Sequence, residues 1–442
     1  MPDGTNHILY FFPNWEDRIH QEFDFLSDLE PQPIRDGYNK SLYAHEVFDD
    51  PPYDGVLVSL ATFEHKIRVH YDGGTPTIRG FRSIKKYLRI DRATRPLPVM
   101  GDCGAFTYVN CEEPPEYAAP QRIANLYHAL DFDFGISPDH IIVDSIVVRQ
   151  GQTVRKHKLT LEEKEKRRQI SLENADKFLK YVKTNNLSFT PIGAVQGHDV
   201  ATFVDSALQL VGMGYEYIAL GGLVRRKTQE VAVLTETVTK AVRQRSTTVK
   251  IHLLGVLRLE LLPLFKALNI TSFDSTSFLR RAWLSPQTNY LGVDGKWYAA
   301  IRIPPSYDPR VQQMASRKGI DIASLKQLER RAMLAMEAYE RGNLPLESTL
   351  EAVMEYDQLL ERRDEKPGEL LEAYRRTLES RIWRYCPCPM CRVAGIHVVI
   401  FRGNNRNKRR GFHNVNLFYR TFLNGGFDGT SSPHYELLLE EA

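Results

Sequence analysis

Hydrophobic and polar positions follow two alternating periods between Pro191 and Asp274. Short apolar runs bounded by turn residues predict strands, and stretches with apolar residues three or four positions apart predict amphipathic helices. The predicted strands are Ile192–Gln196, Tyr215–Leu220, Val249–Val256 and Ile270–Phe273, and the helices between them are Val200–Val211, Thr228–Gln244 and Leu259–Leu268. Strict alternation of strand and helix with short connections predicts a parallel sheet with right-handed crossovers.

Further strand-like runs precede this region. Tyr53–Ala61 is apolar and bounded by turn residues, and two shorter runs lead into Asp102 and Asp139. No Gly-x-Gly-x-x-Gly motif follows any of these strands, which argues against a dinucleotide-binding fold. The sequence therefore predicts an α/β protein built on a (β/α)8 TIM-type barrel rather than an open doubly wound sheet.

The barrel prediction requires functional residues at the carboxyl ends of the strands. Gln196 and Gly197, Gly221 and Gly222, Gly255, and Asp274 each follow one of the four regular strands, and Asp102 and Asp139 end the earlier ones. An aspartate at a strand end is more often a turn former or helix cap than a catalyst. Only the joint pattern makes these residues candidates for a site.

The C-terminal part of the chain has a different pattern. Residues 311–383 are charged and helical, with Leu325, Leu328, Ala332, Met336 and Tyr339 spaced along one helix face. We expect three domains: residues 1–310 as the barrel with an N-terminal extension, 311–383 as a helical insertion, and 384–442 as a zinc-binding subdomain with a basic loop and a C-terminal helix and tail.

Three cysteines lie within six residues, Cys386-Pro387-Cys388-Pro389-Met390-Cys391. A C-x-C-x-x-C run brings three thiolates to one metal ion, and tetrahedral zinc needs a fourth ligand. His413 is the preferred fourth ligand because it begins a stretch typical of a packed helix, and His397 is the alternative. A disulfide is disfavoured because three close cysteines cannot all pair. With four protein ligands this zinc would be structural, since no coordination position remains open.

Composition and charge set wider limits. The chain has 442 residues, of which 42% are hydrophobic and 26% charged, with a net charge of +3 and five cysteines. These are globular values, and the few cysteines favour a reducing compartment. No signal peptide is evident, and no apolar run approaches the about 20 residues that cross a bilayer. We therefore expect a cytoplasmic protein without a membrane partner.

Local basic stretches are better indicators of a polyanionic partner than this small net charge. The segment from Arg402 to Arg410 contains five basic residues and no acidic one, interleaved with Gly and Asn. Such a loop suits phosphate contacts, and a merely solvated loop explains the composition equally well. The predicted nucleic-acid-binding residues are Arg280, Arg281, Arg402, Arg406, Lys408, Arg409 and Arg410.

Taken together, the strand ends and the cysteine run resemble the tRNA-guanine transglycosylase family. The segments that carry the resemblance are Asp102-Cys103-Gly104-Ala105-Phe106, Val195-Gln196-Gly197, Gly221-Gly222-Leu223, Leu253-Leu254-Gly255-Val256, Phe273-Asp274-Ser275, and Cys386, Cys388 and Cys391 followed by His413-Asn414. The inserted helices of residues 311–383 and several substitutions beside these motifs are departures from the tRNA enzymes. With these departures, the sequence resembles the DNA-modifying DpdA branch of the family.

This resemblance implies a transglycosylase that exchanges guanine in DNA for a 7-deazaguanine base such as 7-cyano-7-deazaguanine (preQ0). It implies that Asp274 is the nucleophile, that Asp102 is the general acid and base, and that the zinc is structural. The implied base-binding residues are Asp139, Gln196, Gly197, Gly221, Gly222, Leu223 and Phe106, the last by stacking. Accessory proteins that open or supply DNA are further possible partners.

Three alternatives stay open at the level of sequence. The polymer can be tRNA instead of DNA, with an unusual insertion in the enzyme. The protein can be a zinc-stapled nucleic-acid-binding protein without chemistry, although such a protein has no need of both Asp102 and Asp274. Finally, Cys103 can be the nucleophile, although no histidine lies near it in sequence to activate the thiol.

Overall fold

The computed structural model of the chain describes residues 7–14, 16–28, 41–62, 69–72, 74–150, 153–285, 287–360 and 367–423. These residues form two compact units, one from residues 1–15 and 53–276 and the other from 16–52 and 277–442. We call them the barrel unit and the second unit. The predicted tail of residues 424–442 lies outside the described residues. The units divide the chain at other positions than the predicted domains 1–310, 311–383 and 384–442, which stay a prediction.

Within the described residues of the barrel unit, eight parallel strands close a barrel, as the sequence predicts. They are β1 (Leu9–Pro13), β2 (Gly55–Ser59), β3 (Val99–Asp102), β4 (Phe134–Ile136), β5 (Thr190–Val195), β6 (Tyr217–Leu220), β7 (Lys250–Leu253) and β8 (Ser272–Asp274). Each strand pairs with its neighbour in chain order, and β8 closes onto β1 through Leu9 opposite Ser272. The fold is therefore a (β/α)8 TIM-type barrel.

Apolar side chains fill the inside of the barrel. The buried cluster is Phe11, Leu57, Met100, Ile136, Ile192, Ala194, Tyr217 and Ala219. Because every second residue of a strand points inward, β1 to β6 each contribute to this packed interior. The barrel is a core rather than a channel, so a ligand has to bind at its end.

Helices follow the strands on the outside. They are α1 (Pro120–Ala129), α2 (Leu161–Thr184), α3 (Val200–Met213), α4 (Thr228–Arg245) and α5 (Leu262–Ala267). Local sequence fixes where the helices begin: the Thr160 hydroxyl accepts from the N–H of Glu163, and Asp199 accepts from the N–H of Thr202. Between β4 and α2 the chain forms an antiparallel ribbon of two strands, Ser145–Gln150 and Thr153–Lys158.

The second unit is mainly helical in its described part. Its helices are α6 (Ser277–Leu284), α7 (Pro309–Arg317), α8 (Ile322–Glu340), α9 (Leu346–Asp357), α10 (Pro367–Ser380), α11 (Pro389–Ala394) and α12 (Gly403–Leu417), with short paired strands at Tyr290–Leu291 and Trp297–Tyr298 and at Ile301–Arg302 and Ile400–Phe401. None of the described helices is long and apolar enough to cross a membrane.

The basic segment Arg402–Arg410 is the clearest correction to the sequence analysis. It is not a loop, because all but its first residue belong to α12, and the side chains of Arg406, Arg409 and Arg410 are only 1%, 2% and 0% exposed. Arg410 donates to the carbonyl of Ala282 (2.6 Å). These guanidinium groups are not accessible to a phosphate, so the prediction that they contact nucleic acid is wrong.

The same arginines fasten residues 16–28 to α12. Arg406 donates to Asp28, and Arg409 donates to the carbonyl of His20 (2.6 Å). Arg402 is also buried and pairs with Asp28, while Lys408 is partly buried with its Nζ 3.5 Å from Asp17. A buried guanidinium costs free energy unless its donors are satisfied, and carboxylate and carbonyl oxygens accept from most of them here, although Arg406 Nε has no partner among the described residues. Basic composition in this segment therefore serves folding.

Candidate active site and metal centre

Three aspartates follow strands at the same end of the barrel. Asp102 and Asp274 are the last residues of β3 and β8, and Asp139 follows β4 by three residues. The charges of Asp139 and Asp274 both act on Asp102, so the three carboxyl groups share one site. The structure thus brings together the carboxylates that the sequence analysis selected separately.

Asp102 is held close to protonation at neutral pH. Burial of the carboxyl group, followed by the charge of Asp139, raises the pKa of Asp102 to about 7. Hydrogen bonds from the N–H of Gly104 and from Ser59 oppose this rise without cancelling it. Gly104 has φ +81°, a conformation that favours glycine and that turns the chain back towards Asp102. A carboxyl group with such a pKa can both donate and accept a proton near pH 7.

Asp139 is the centre of a buried polar cluster. Its carboxylate accepts from Gln196 Nε2 (2.6 Å) and from the Cys103 thiol (3.5 Å), and its carbonyl accepts from the Tyr108 hydroxyl (2.9 Å). Gln196 Oε1 is buried and has no hydrogen-bond partner within the described residues. A buried acceptor without a partner is costly, so this oxygen is a candidate to accept from a bound ligand.

The chain after β6 passes very close to Gln196. A Cβ atom on Gly221 would collide with Gln196 Nε2, and Gly222 has φ +68°. Leu223, which follows these glycines, is fully buried. Gly197 is also buried, and a Cβ there would collide with Phe203. Gly221 therefore leaves room for the amide of Gln196, and Gly197 leaves room for Phe203.

If this site binds the guanine-like base that the family resemblance implies, we expect Gly221→Ala to damage base binding more than folding. The added methyl group displaces the amide of Gln196, which breaks its 2.6 Å hydrogen bond to Asp139 and moves Oε1 away. One misplaced buried hydrogen-bonding group costs about 1–3 kcal/mol, or roughly 5- to 150-fold in KM for the base. Steady-state kinetics with varied base would measure this. Gly212→Ala on α3, where a Cβ meets no neighbour, is the matched control, and equal KM values for both variants would contradict the expectation.

Asp274 is positioned by a chain of buried hydrogen bonds. Its Oδ1 accepts from the N–H of Gly255 (2.7 Å) and lies 3.1 Å from His252 Nε2. His252 Nδ1 lies 2.6 Å from the Ser272 hydroxyl, which lies 2.5 Å from the Tyr217 hydroxyl. In the tautomer whose Nδ1 accepts from the Ser272 hydroxyl, His252 Nε2–H donates to Asp274 Oδ1. The carboxylate is therefore fixed through Oδ1, which leaves Oδ2 to react.

Sequence reasoning missed His252, Ser272 and Tyr217. A signal for two of them exists, because His252 and Ser272 are polar residues in apolar strands, one residue before the strand end at Leu253 and two residues before the strand end at Asp274. Only the register shows that His252 lies opposite Ser272 in the paired strands β7 and β8. Polar residues in adjacent apolar strands of a predicted barrel are therefore candidates for a hydrogen-bonded pair.

Cys103 is poorly suited to be the nucleophile. It is 2% exposed, and burial, together with the charge of Asp139, raises the pKa of its thiol well above the usual value. Nucleophilic cysteines instead have a lowered pKa from a neighbouring cation. The thiol bonds to Tyr108 and Asp139, which makes it part of the polar cluster.

The remaining predicted residues are placed as follows. Phe106 is 57% exposed on the short helical turn Ala105–Tyr108 that follows Asp102. In the second unit, Arg281 lies over the Trp297 ring (4.1 Å) and donates to Thr288, while Arg280 is exposed. An exposed aromatic ring beside Asp102 is available for stacking on a base. The roles of Phe106, Arg280 and Arg281 stay predictions.

The second unit contains a buried cluster that fits a metal ion. One ligand atom from each of Cys386, Cys388, Cys391 and His413 lies within 4.8 Å of the others, and His413 Nδ1 is 3.3–3.5 Å from the three sulfur atoms. His413 Nε2 donates to the carbonyl of Leu291 (2.6 Å), which points Nδ1 at the sulfurs. Three thiols and one imidazole are the donors of a structural tetrahedral site.

His413, and not His397, completes this cluster, as the sequence analysis preferred. His397 stacks on Phe25 and lies 4.0 Å from Glu337. The cysteines of the chain, all within the described residues, are free, so the disulfide alternative is wrong. The Tyr290 ring stacks on His413 at 4.4 Å and its hydroxyl lies 3.3 Å from Cys391 Sγ, which protects the cluster from solvent.

Comparisons with known proteins show the family of the chain. No protein-family model matches the chain. A DNA-guanine transglycosylase of Salmonella montevideo is 36% identical over 421 residues, which cover 93% of this chain and 96% of that protein. Identity at this level over nearly the full length of both chains shows common descent and a common fold. The chain therefore belongs to the tRNA-guanine transglycosylase family, in the branch of the DNA-guanine transglycosylases.

Proposed function

We propose that this protein exchanges guanine in DNA for a 7-deazaguanine base such as preQ0, through a covalent bond between Asp274 and the sugar. The observation that carries the proposal is the shared site of Asp102, Asp139 and Asp274 at the strand ends. The relative named DNA-guanine transglycosylase supports the choice of DNA as the polymer. Both lines of support agree on a glycosyltransferase that acts on guanine.

In the first step, Asp274 Oδ2 attacks C1′ of the target nucleotide. The C1′–N9 bond breaks, the departing guanine takes a proton from Asp102, and C1′ is left esterified to Asp274. The hydrogen bonds of Gly255 and His252 to Oδ1 hold the carboxylate in the orientation for attack. Asp102 ends this step ionised.

In the second step, the incoming base loses its N9 proton to Asp102 and attacks C1′ from the opposite side. The bond from C1′ to Asp274 breaks, which restores the carboxylate. Two displacements at C1′ return the original configuration, so the strand continues as an ordinary β-nucleoside. Asp102 ends this step protonated, ready for the next cycle.

The cluster around Asp139 suits the hydrogen-bonding edge of a guanine-like base. The free Oε1 of Gln196 and the Asp139 carboxylate accept hydrogen bonds, while the backbone at Gly222 and Leu223 offers further polar groups. The exposed ring of Phe106 is available to stack on the base after it leaves the helix. Guanine and a 7-deazaguanine share this edge, which is why one site serves both.

We further propose that the cluster of Cys386, Cys388, Cys391 and His413 holds a structural zinc ion. The sulfur and nitrogen donors fit zinc, and all four are buried. When bound, the ion would cross-link the loop before α11 to α12 and take no part in base exchange. Free cysteines suit the reducing cytoplasm, which we propose as the location.

Base exchange on purified polymers tests this function. Protein is incubated with DNA or with tRNA and isotopically labelled preQ0, and the digested nucleosides are analysed by mass spectrometry. We expect label in DNA and none in tRNA. Label only in tRNA would identify a tRNA enzyme, and no label in either polymer together with salt-sensitive binding would identify a binding protein without chemistry.

The pKa of Asp102 predicts a pH dependence for the first step. The acid must be protonated to donate, and its pKa is about 7. We therefore expect the rate of adduct formation in a single turnover to be constant below about pH 7 and to fall about tenfold per pH unit above it. In Asp102→Asn the rate should fall by about 10²- to 10⁴-fold and lose this pH dependence. Retention of the same pH profile in the variant would refute the assignment.

The pH dependence of unfolding gives an independent check on the raised pKa of Asp102. Removing this carboxyl group lowers the reaction rate, whereas it should raise the relative stability of the protein at high pH. The pKa of Asp102 in the folded protein lies above the value of 3.8 for a free aspartate. Ionisation of this carboxyl group therefore stabilises the unfolded state more than the folded state. Stability of the wild type therefore falls between about pH 4 and 7, while Asp102→Asn lacks this loss. Denaturant unfolding at pH 5 and pH 8 should show the variant becoming relatively more stable at the higher pH.

A further inference from the structure

The antiparallel ribbon Ser145–Gln150 and Thr153–Lys158 lies next to the candidate active site along the chain. It connects β4 to α2, and connections from a barrel strand to the following helix lie at the carboxyl ends of the strands. The N–H of Val147 donates to the Asn110 side chain (2.9 Å), which ties the ribbon to the connection after β3. That connection also carries Phe106. The ribbon therefore belongs to the face that carries the three aspartates.

The two faces of the ribbon differ in exposure. Lys156 lies opposite Val147 and Lys158 opposite Ser145, so both lysines share one face, and residues two apart place Val154 on it as well. Both lysines are exposed, and Val147 and Val154 are 44% and 61% exposed. This face therefore presents lysines and uncovered β-branched side chains to solvent.

The opposite face holds the ribbon in place. Ile146 is 8% exposed, and His157 lies 2.9 Å from Glu163 on α2. At the base of the ribbon, the N–H of Leu159 donates to the carbonyl of Asp144 (3.0 Å), and Lys164 pairs with Asp144 (2.7 Å). The ribbon is thus anchored on one side and open on the other.

The lysines of the open face form no close ion pair within the described part of the chain. No carboxylate there lies within salt-bridge distance of Lys156 or Lys158, and both side chains are exposed. Lys158 acts on Asp144 only at longer range, because that carboxylate pairs with Lys164 (2.7 Å), and Arg225 and Lys227 on the connection after β6 are also exposed. Cations held without carboxylate partners beside an active site attract a polyanion.

We propose that this ribbon is a docking surface for the phosphate backbone of the DNA that carries the target guanine. The inference rests on the proposed function, because it takes DNA as the polymer. A two-stranded ribbon fits the major groove, where the lysines reach phosphates and the exposed valines contact sugars or base edges. The ribbon presents exposed positive charges to a phosphate, whereas the arginines of α12 are buried.

The test compares two variants that each lose two positive charges. Lys156→Gln and Lys158→Gln are combined in the ribbon variant. Lys177→Gln and Lys180→Gln are combined in the control, because these exposed lysines lie in the last turns of α2, away from the carboxyl ends of the strands. Dissociation constants are measured by fluorescence anisotropy with a labelled DNA duplex, its single strand and a tRNA transcript over a range of salt concentrations.

We expect the ribbon variant to bind DNA at least about tenfold more weakly at low salt, with the slope of log K against log salt reduced by about 2. Its KM for DNA in base exchange should rise by a similar factor, while circular dichroism and thermal melting match the control. Equal DNA affinity and slope in the ribbon and control variants would overturn the proposal, as would a loss confined to tRNA. Failure of the wild type itself to bind DNA would instead overturn the proposed function.

Discussion

Asp274→Asn is expected to abolish both the covalent enzyme–DNA adduct and base exchange. The amide is isosteric and still accepts from Gly255 and His252 at Oδ1, but its other terminal atom is an NH₂ group that does not attack C1′. Loss of a nucleophile typically costs at least about 10⁴-fold in kcat. The adduct is measured on denaturing gels with labelled DNA, and exchange by mass spectrometry of the digested nucleosides.

Two controls make this result specific to the nucleophile. Asp176→Asn on the outer surface of α2 changes the same functional group outside the site and should leave adduct and exchange intact. DNA affinity and the melting temperature of Asp274→Asn should stay near those of the wild type, because its hydrogen bonds remain. An adduct that persists in Asp274→Asn and disappears in Cys103→Ala would show that the thiol, and not the carboxylate, attacks.

Removal of the metal ion is expected to unfold the second unit rather than to stop the chemistry directly. Structural zinc sites contribute about 10–16 kcal/mol of apparent binding free energy at pH 7, which exceeds the stability of most domains. Without the ion, four polar ligand groups remain buried next to one another. We therefore expect Cys388→Ser to lose bound zinc, helical circular dichroism and resistance to proteolysis between residues 277 and 423.

Cys111→Ser is the matched control, since this cysteine is exposed and lies outside the cluster. It should retain one zinc ion per chain in native mass spectrometry and change the free energy of unfolding by no more than about 0.5 kcal/mol. A metal-free protein that keeps its melting curve and loses only base exchange would contradict the structural role. In that case the ion would have to act on the substrate.

Much of the barrel follows from local sequence. The helices Val200–Met213 and Thr228–Arg245 begin at the predicted residues, and the strands Thr190–Val195 and Tyr217–Leu220 lie within two residues of their predicted bounds. Periodicity suffices here because each element buries one face against its neighbours in chain order. The strand β1 was not predicted, since Leu9–Pro13 is followed not by an amphipathic helix but by residues 16–52, which belong to the second unit.

Interactions between distant residues explain the remaining differences. The composition of Arg402–Arg410 indicates an exposed cationic loop, and nothing local reveals that Asp28 and the carbonyls of His20 and Ala282 converge on these arginines. The hydrogen bonds of His252 likewise depend on strand register. Asp102, Asp274 and the metal ligands could be selected as candidates from the sequence, because their spacing follows a family pattern. The residues that position Asp274 follow no such pattern.

The buried arginines of α12 also have a consequence for how the chain folds during synthesis. Residues 16–28 leave the ribosome first, yet their partners on α12 are almost four hundred residues later in the chain. At about 5–20 residues per second, this segment waits roughly 20–80 s before Arg406 and Arg409 emerge. The early segment, with its aromatic residues, would remain uncovered throughout that period. The second unit can form only after translation is nearly finished, so truncated products would expose this segment to chaperones and proteases.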